Sequence, residues 1–404
     1  MMPVMPWLLP EYIEDVLPGE ANTLELLRRK LLDHLSSYGY QWIQTPLIEN
    51  LDTLITGTGQ NLNSITFKVV DQLSGKTLGV RADITPQAAR IDSHLFASFP
   101  LNRLCYCGSV LHTQPSALHD SREIWQLGAE LYGTDHFAAD IEILQLFLEL
   151  AELAGLKDTY LDIGHVGFFE SLTQDLPESL RQQLFIALQS KDTPELLALT
   201  ATLDATTQAA LLALTKLYGE PEIVLANARQ ALANFPECLQ HIRFIEQVLT
   251  GLKPKFTQVR LDLAELRGHN YHTGIVFALY TPQQHRAIGL GGRYDRLETS
   301  QQTTSSSILR PATGFSLDLR AIAASISPIE KTCITAPYYP HDEPLKELIN
   351  ALRKQGECIW IQLPPAASCT YTTEQHSPIP ATHQIVKVNN VWQVEAIPAL
   401  PISS

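Results

Sequence analysis

The sequence predicts an α+β protein, an antiparallel sheet that carries helices. Three observations lead there. Hairpin-like pairs of β-runs come early, at 65–81 and at 103–133. A Leu-, Ala- and Gln-rich stretch from 168 to 252 then reads as mostly helical. β-Runs return at TQVRLDLAEL, TGIVFALY and RAIGLGGRYD. Strands bunched before and after a helical block do not show the strict strand–helix alternation of a parallel sheet.

Each element has a local reason. A helix opens after LPGE, with Leu24, Leu27, Leu31 and Leu35 on one face and Gly39 as its stop. YQWIQTPLIEN is rich in β-formers, and Pro46 inside it implies an edge strand or a bend. ITFKVVDQLSGKTLGVR reads as a hairpin turning at Ser74-Gly75. DITPQAARIDSHLF reads as a helix with proline in its first turn. RLCYCGSVLH and REIWQLGAELYG are two strands around the polar loop TQPSALHDS. Ile141, Leu144 and Leu148 mark a helix over 138–154 that Gly155 ends. TYLDIGHV is a strand, and the stretch 168–252 is an inserted helical subdomain. SQQTTSSSILRP reads as a polar, mobile loop. A last core helix follows ATGFSLDL. From about residue 328 a small Pro-rich segment holds one helix, EPLKELINALRKQG, between short β-runs. There is no tandem repeat.

Length, 404 residues, suggests two or three domains. With 45% apolar and 18% charged residues, the chain has the mass for a real core. MMPVMPWLLPEY lacks a basic leader and is broken by prolines, so no signal peptide is expected. The most apolar run, LLALTATLDATTQAALLAL, carries Asp204 and reads as an amphipathic helix or helical hairpin, not a membrane span. The six cysteines are scattered, with Cys105 and Cys107 a lone C-x-C, as in a reduced cytosolic core. A net charge of −14 without a basic run is poorly suited to nucleic acid, whose phosphates must be neutralised.

The short motifs are individually ambiguous. In RGHNYHTG, Arg267 offers a fork of donors for a carboxylate or phosphate, and Tyr271 and His272 can wall a planar ligand. The same residues fit a plain hairpin with a satisfied arginine. His269 and His272 form H-x-x-H with no further ligand at metal spacing, so no metal is expected. GLGGRYD matches neither the P-loop nor the dinucleotide pattern and reads as a strand end that another group approaches closely. In VRADITP, Arg81, Asp83 and Thr85 alternate. Asp83 and Thr85 suit either an amino acid's charged ends or a helix cap. Gln126 and Glu130 share a strand face, and a buried Glu130 needs a cation from protein or ligand. No nucleophile–base pair stands out.

Together RGHNYHTG, GGRYD, VRADITP, REIWQLGAELYG and the opening IEDVLPGEANTLELLRRKLLDHLSSYGYQWIQTPLIEN resemble histidyl-tRNA synthetase. The similarity runs in order from about residue 8 to 325, around the helical insert. Five motifs in register make it specific. The resemblance implies a class II aminoacyl-tRNA synthetase-like antiparallel sheet flanked by helices, dimeric, with Pro46 on the dimer-forming motif. It also implies a histidine pocket. Asp83 and Thr85 would hold the α-ammonium, Gln126 and Glu130 would line the pocket, and Arg267 would face the carboxylate. Tyr271, His272 and Tyr294 would surround the imidazole. Position 272 is more usually tyrosine in the synthetase.

The departures are as informative. The synthetase's α-phosphate clamp is an arginine with a nearby glutamate. Here His112 and Gln114 stand in VLHTQ. In GFSLDLRA, Asp318 takes the place of the glycine under the adenine. Arg320 falls at the glutamate and Ala321 at the γ-phosphate arginine. Phosphoryl chemistry rests on positioned positive charge. Two cations are lost, and Asp318 adds a charge that would repel a phosphate about 4 Å away by roughly 1 kcal/mol in water and about 4 in a partly screened site. From residue 330 only 75 residues remain, with five Lys/Arg against seven Asp/Glu, short and wrongly charged for an anticodon-binding domain.

A core (1–327, insert about 168–252) that keeps an amino-acid site but loses ATP and tRNA function, with a reduced C-terminal domain at 328–404, is similar to the regulatory-subunit family of ATP phosphoribosyltransferase. AELRGHNYHTGIVFALY and ATGFSLDL fit that family better than the synthetase. The resemblance implies a non-catalytic, cytoplasmic protein that activates the short-form catalytic subunit and relays histidine feedback at the first step of histidine biosynthesis. It implies a homodimer through the core within a hetero-octamer, histidine as allosteric ligand, and no cofactor, metal, nucleic acid or membrane. Chemistry would belong to the partner subunit. The alternatives are a divergent histidyl-tRNA synthetase and a stand-alone histidine sensor.

Overall fold

The computed structural model describes residues 8–55, 59–115, 121–252, 254, 257–266, 272–295, 310–329, 331–364 and 379–397. The chain forms two compact units, Met1–Val16 with Leu24–Ser327, and Leu17–Thr23 with Pro328–Ser404.

Along the chain, α1 (Pro18–Ser37) buries Leu24, Leu27, Leu31 and Leu35 and stops at Gly39, whose φ of +81° favours glycine. Pro46 then falls between two short strands of different sheets, β1 (Gln41–Trp42) and β2 (Ile48–Asn50), so the proline marks a bend. α2 (Leu51–Ile55) and α3 (Gly59–Ile65) lead to the hairpin β3 (Phe67–Val70) and β4 (Thr77–Val80), which turns at Gly75 with φ +68°. α4 (Thr85–Leu95) starts on Thr85-Pro86. β5 (Asn102–Leu111) and β6 (Glu123–Tyr132) pair antiparallel over their whole length. α5 (Phe137–Leu153) ends before Gly155, and β7 (Thr159–His165) follows.

The insert is α6 (Gly167–Thr173), α7 (Glu178–Gln189), α8 (Thr193–Leu199), α9 (Ala205–Leu214), β8 (Tyr218–Gly219), α10 (Pro221–Ala231) and α11 (Pro236–Gly251). The run LLALTATLDATTQAALLAL is a helical hairpin, because Asp204 caps α9 by accepting from Thr206 N and Thr207 N. Its apolar side continues into the main core, where Leu196, Leu211 and Leu214 join the same cluster as Leu131 and Phe147. β8 pairs with the strand that follows the insert, so the block is not purely helical.

β9 (Thr257–Asp262), β10 (Ile275–Tyr280), β11 (Gly289–Arg293) and β12 (Ala312–Asp318) complete the sheet, and α12 (Leu319–Ser325) follows it. The large sheet has the order β1-β5-β6-β12-β11-β10-β7-β9-β8, and β2-β4-β3 forms a second small sheet. Most pairs of the large sheet are antiparallel; β1–β5 and β7–β9 are parallel. The loop SQQTTSSSILRP lies outside the described residues apart from Arg310 and Pro311.

Strand alternation gives the large sheet two unlike faces. One carries Leu127, Ala129 and Leu131 of β6, Phe315 and Leu317 of β12, and Phe277 of β10, all in the main apolar cluster with α1 and α5. Phe147 of α5 meets Phe277 and Phe315 with ring centroids 5.1 Å apart in both cases. The other face carries Tyr106, Gln126, Gly128, Glu130, Gly292, Gly314 and Asp318 in register. Leu104, Val110 and Ile124 stand there too, packed under α4, and between them the predicted polar residues gather.

The second unit has its own sheet, β14-β13-β15-β16, made by β13 (Cys333–Pro337), β14 (Ile359–Gln362), β15 (Ala381–Val388) and β16 (Val391–Ala396). α13 (Glu343–Lys354) buries Leu345 and Ile349 against Ile334, Ile359 and Ile385. Asp342 caps this helix through Leu345 N and also accepts from Trp392 Nε1 at 3.0 Å.

Candidate functional site

The site is built where α4 begins against the polar face of β5, β6 and β12. Glu130 of β6 lies at its floor, 1% exposed. Its Oε1 accepts from Tyr106 Oη at 2.9 Å and its Oε2 from Tyr294 Oη at 2.5 Å. Tyr294 Oη also reaches Tyr132 Oη at 3.3 Å, and Tyr106 Oη reaches Thr85 Oγ1 at 3.0 Å. Burial pushes the Glu130 carboxyl up to about 8; the phenol donors pull the other way, and the charge of Asp83 adds to the rise. The expected cation is not among the described partners. Hydroxyls answer Glu130 instead: the phenols of Tyr106 and Tyr294 reach it from separate elements, and Tyr132 backs Tyr294.

The carboxylate fits only because Gly314 lies opposite it on β12. A Cβ there would stand 2.6 Å from Glu130 Cδ and overlap Oε2. The Tyr106 ring likewise crosses Gly128, where a Cβ would overlap it. The glycines of this face therefore make room for the chain's own side chains.

Asp83 and Gln126 form the second half of the network. Asp83 Oδ1 accepts from Gln126 Nε2 at 2.8 Å and from Thr85 N at 3.0 Å. Gln126 Oε1 accepts from Ile84 N at 2.9 Å. Asp83 secures the helix start by accepting from Thr85 N, and Asp83 and Thr85 are half-buried beside the floor. Arg81 departs from them: it is buried, and donates to Ser109 O and to Thr45 O and Oγ1, strapping the segment to the bend at Pro46.

His272 sits at the edge, its Nδ1 3.1 Å from Arg293 O, packed on Gly292. Arg293 points to the opposite face, where its guanidinium meets the buried Asp140 at 2.9 Å and Asp295 at 3.2 Å. The next residue, Tyr294, turns back to Glu130. Arg267, His269 and Tyr271 lie outside the described residues.

The structure thus joins Asp83, Thr85, Gln126, Glu130 and Tyr294 in one hydrogen-bonded network. Sequence reasoning missed Tyr106, Tyr132, Gly314 and Asp140. Tyr106 had a signal, because on β5 it alternates with Gly108 and lies opposite Gly128. Gly314 and Asp140 had none, since each matters through a residue far away in the chain.

At the positions compared with nucleotide clamps, the ions turn inward. Asp318 does not present a bare charge, which corrects the repulsion argument. Its Oδ2 takes Arg286 Nη2 at 2.6 Å, and its Oδ1 caps α12 through Arg320 N and Ala321 N. Arg320 points away, to Glu14 at 2.7 Å and to Ser121 at 3.1 Å. Ala321 is buried in α12. The His112 ring bonds Ala82 O at 3.0 Å, and Gln114 is exposed. Cys105 and Cys107 lie on the apolar side of β5, and burial pushes both thiols up to about 12. Among the described residues no three metal-ligating side chains converge, and no helix is long and apolar enough to cross a membrane.

A polar network of this kind on a sheet with these neighbours can be compared with known proteins. The family model of histidyl-tRNA synthetase matches residues 12–322. An ATP phosphoribosyltransferase regulatory subunit of Burkholderia cenocepacia is 48% identical over 393 residues, covering 96% of this chain and 99% of that protein. One from Nitrosomonas eutropha is 44% identical over 366 residues, covering 89% of this chain and 92% of that protein. The chain belongs to the ATP phosphoribosyltransferase regulatory subunit family. Members share the synthetase-like fold. A crystal structure described as an ATP phosphoribosyltransferase regulatory subunit/histidyl-tRNA synthetase from Bacillus halodurans superposes with a TM-score of 0.76 at 26% identity, covering 92% of this chain and 96% of that one. Among the described residues, Asp318 and Arg320 at the compared positions are held in internal ion pairs with Arg286 and Glu14.

Proposed function

We propose that this regulatory subunit reads free histidine in the Glu130 network and passes its occupancy to a catalytic ATP phosphoribosyltransferase subunit, where the chemistry resides. The observation that carries the proposal is the contrast within one sheet face. Asp83, Thr85, Gln126, Glu130 and Tyr294 are held ready as acceptors and donors for a small zwitterion. The nearby nucleotide-clamp positions are closed by Asp318–Arg286 and Arg320–Glu14 pairs. Asp83 and Glu130 supply the negative charge an ammonium needs, and Arg267 would take the carboxylate. The protein itself needs no cofactor for this role.

The partner would be the short-form catalytic subunit, in a hetero-octamer built on a homodimer of the synthetase-like core. Activation and feedback then require only that histidine bind two arrangements of the subunit with different affinity, a coupling of about 1–3 kcal/mol. Calorimetric titration of histidine into wild type and Glu130→Ala tests the pocket: binding is expected in the first and loss of it in the second. Unchanged affinity in Glu130→Ala would place the ligand elsewhere. Histidine-dependent ATP–pyrophosphate exchange at enzyme rates would return the chain to the synthetases, and light scattering of the mixed subunits reads the stoichiometry.

A further inference from the structure

The Glu130 network has a property beyond holding a ligand. The groups that face this carboxyl are Tyr106 from β5, Tyr132 from β6, Thr85 and Asp83 from the start of α4, and Tyr294 after β11, with the Gly314 backbone of β12 against Oε2. All the ionisable groups among them are neutral hydroxyls or carry negative charge. Burial holds the three phenols well above their ordinary range, so they remain O–H donors. Among the described residues no cation stands beside this carboxylate, so it keeps its charge poorly and a proton neutralises it. The route for that proton is built in: Glu130 bonds Tyr106, Tyr106 bonds Thr85, and Thr85 is half-buried.

We propose that Glu130 exchanges a proton for the ligand's positive group, so that histidine binding expels one proton to solvent and histidine affinity follows pH. The inference rests on the reading of this pocket as a histidine site. The step balances simply. The O–H bond of the Glu130 carboxyl breaks, its electron pair stays on the carboxylate, and the proton passes along the hydroxyls to buffer. The ligand's N–H then takes the place of the proton as the neutralising partner. A feedback site of this kind answers both histidine and cytosolic pH.

Histidine is titrated calorimetrically into the full chain at pH 7 in phosphate and in Tris, buffers of different ionisation enthalpy. The expected result is heats that differ by close to one proton released. With the carboxyl at about 8, affinity should rise about fivefold from pH 7 to pH 8 and by about a further twofold above it, a window clear of the ligand imidazole's own titration at about 6.5. Equal heats in both buffers, or proton uptake, overturn the inference while leaving the histidine reading intact. Absence of binding in either buffer removes both. Glu130→Gln should bind more weakly and release no proton. If that variant fails to fold, Tyr294→Phe serves: with one donor gone the carboxyl rises further, and proton release should persist to higher pH than in wild type.

Discussion

Gly314→Ala is the sharpest perturbation of this site. The new Cβ would stand 2.6 Å from Glu130 Cδ and 2.8 Å from Ala129 O, and would overlap Oε2. Neither strand can give by so much, because Gly314 and Glu130 are register partners between central strands of the sheet. Glu130 must therefore swing out of its place. Tyr106 and Tyr294 then lose the carboxyl and keep only the hydroxyls of Thr85 and Tyr132 within reach, and loss of a buried acceptor costs about 1–3 kcal/mol. For two phenols the cost is about 2–6 kcal/mol, or some 4–12 °C in Tm at about 2 °C per kcal/mol for a large chain. Much of that cost belongs to Glu130. In a Glu130→Ala background the clash with the carboxylate is gone and the phenols have already lost that acceptor. There Gly314→Ala should cost only what the contact with Ala129 O demands. A double-mutant cycle by thermal or urea unfolding should show a coupling of about 2 kcal/mol or more. The same cost in both backgrounds would refute the reasoning.

Further outcomes follow from other parts of the molecule. Asp140→Asn removes the buried partner of Arg293 and leaves it only Asp295, and should destabilise by about 1.5–3 kcal/mol in urea unfolding; because Arg293 is the neighbour of Tyr294, histidine affinity should fall with it. His165 and His241 stack with centroids 4.4 Å apart where β7 meets the insert, and burial holds both below their ordinary range, His165 further lowered by the charges of His241 and Arg293. At these two sites the unfolded chain binds more protons than the folded one, so their contribution to stability should be level above pH 7 and fall below about 6.5, by up to about 1.4 kcal/mol per pH unit per histidine, while Glu130, raised to about 8, contributes the opposite slope up to about pH 8. His241→Phe should shift that acid transition, as read by circular dichroism. Asp318→Ala removes the α12 cap and the Arg286 partner, and should cost about 1–2 kcal/mol in Tm measurements without creating ATP–pyrophosphate exchange.

Much of this was legible in the chain itself. The leucine spacing of α1, Pro46 at its bend, Ser74-Gly75 at its turn and Gly155 after α5 are local signals. Each acts over a few residues, where periodicity and backbone stereochemistry decide the outcome. Asp83, Thr85, Gln126 and Glu130 were legible as candidates for the same reason: alternation on a strand puts them on one face. What they meet there was decided by tertiary structure. The phenols that bond Glu130 come from two separate parts of the chain, β5 and the end of β11, and Gly314 makes room for it from a strand far along the sequence. The neutralisation of Asp318 by Arg286 was equally hidden, because a charge in a sequence carries no statement of what stands beside it. Sequence by itself determined which residues could face one another, since side-chain direction follows from the local backbone. Only the packing of distant strands decided the charge state of the carboxyl they enclose, because desolvation and pairing depend on everything within a few ångströms, whatever its place in the chain.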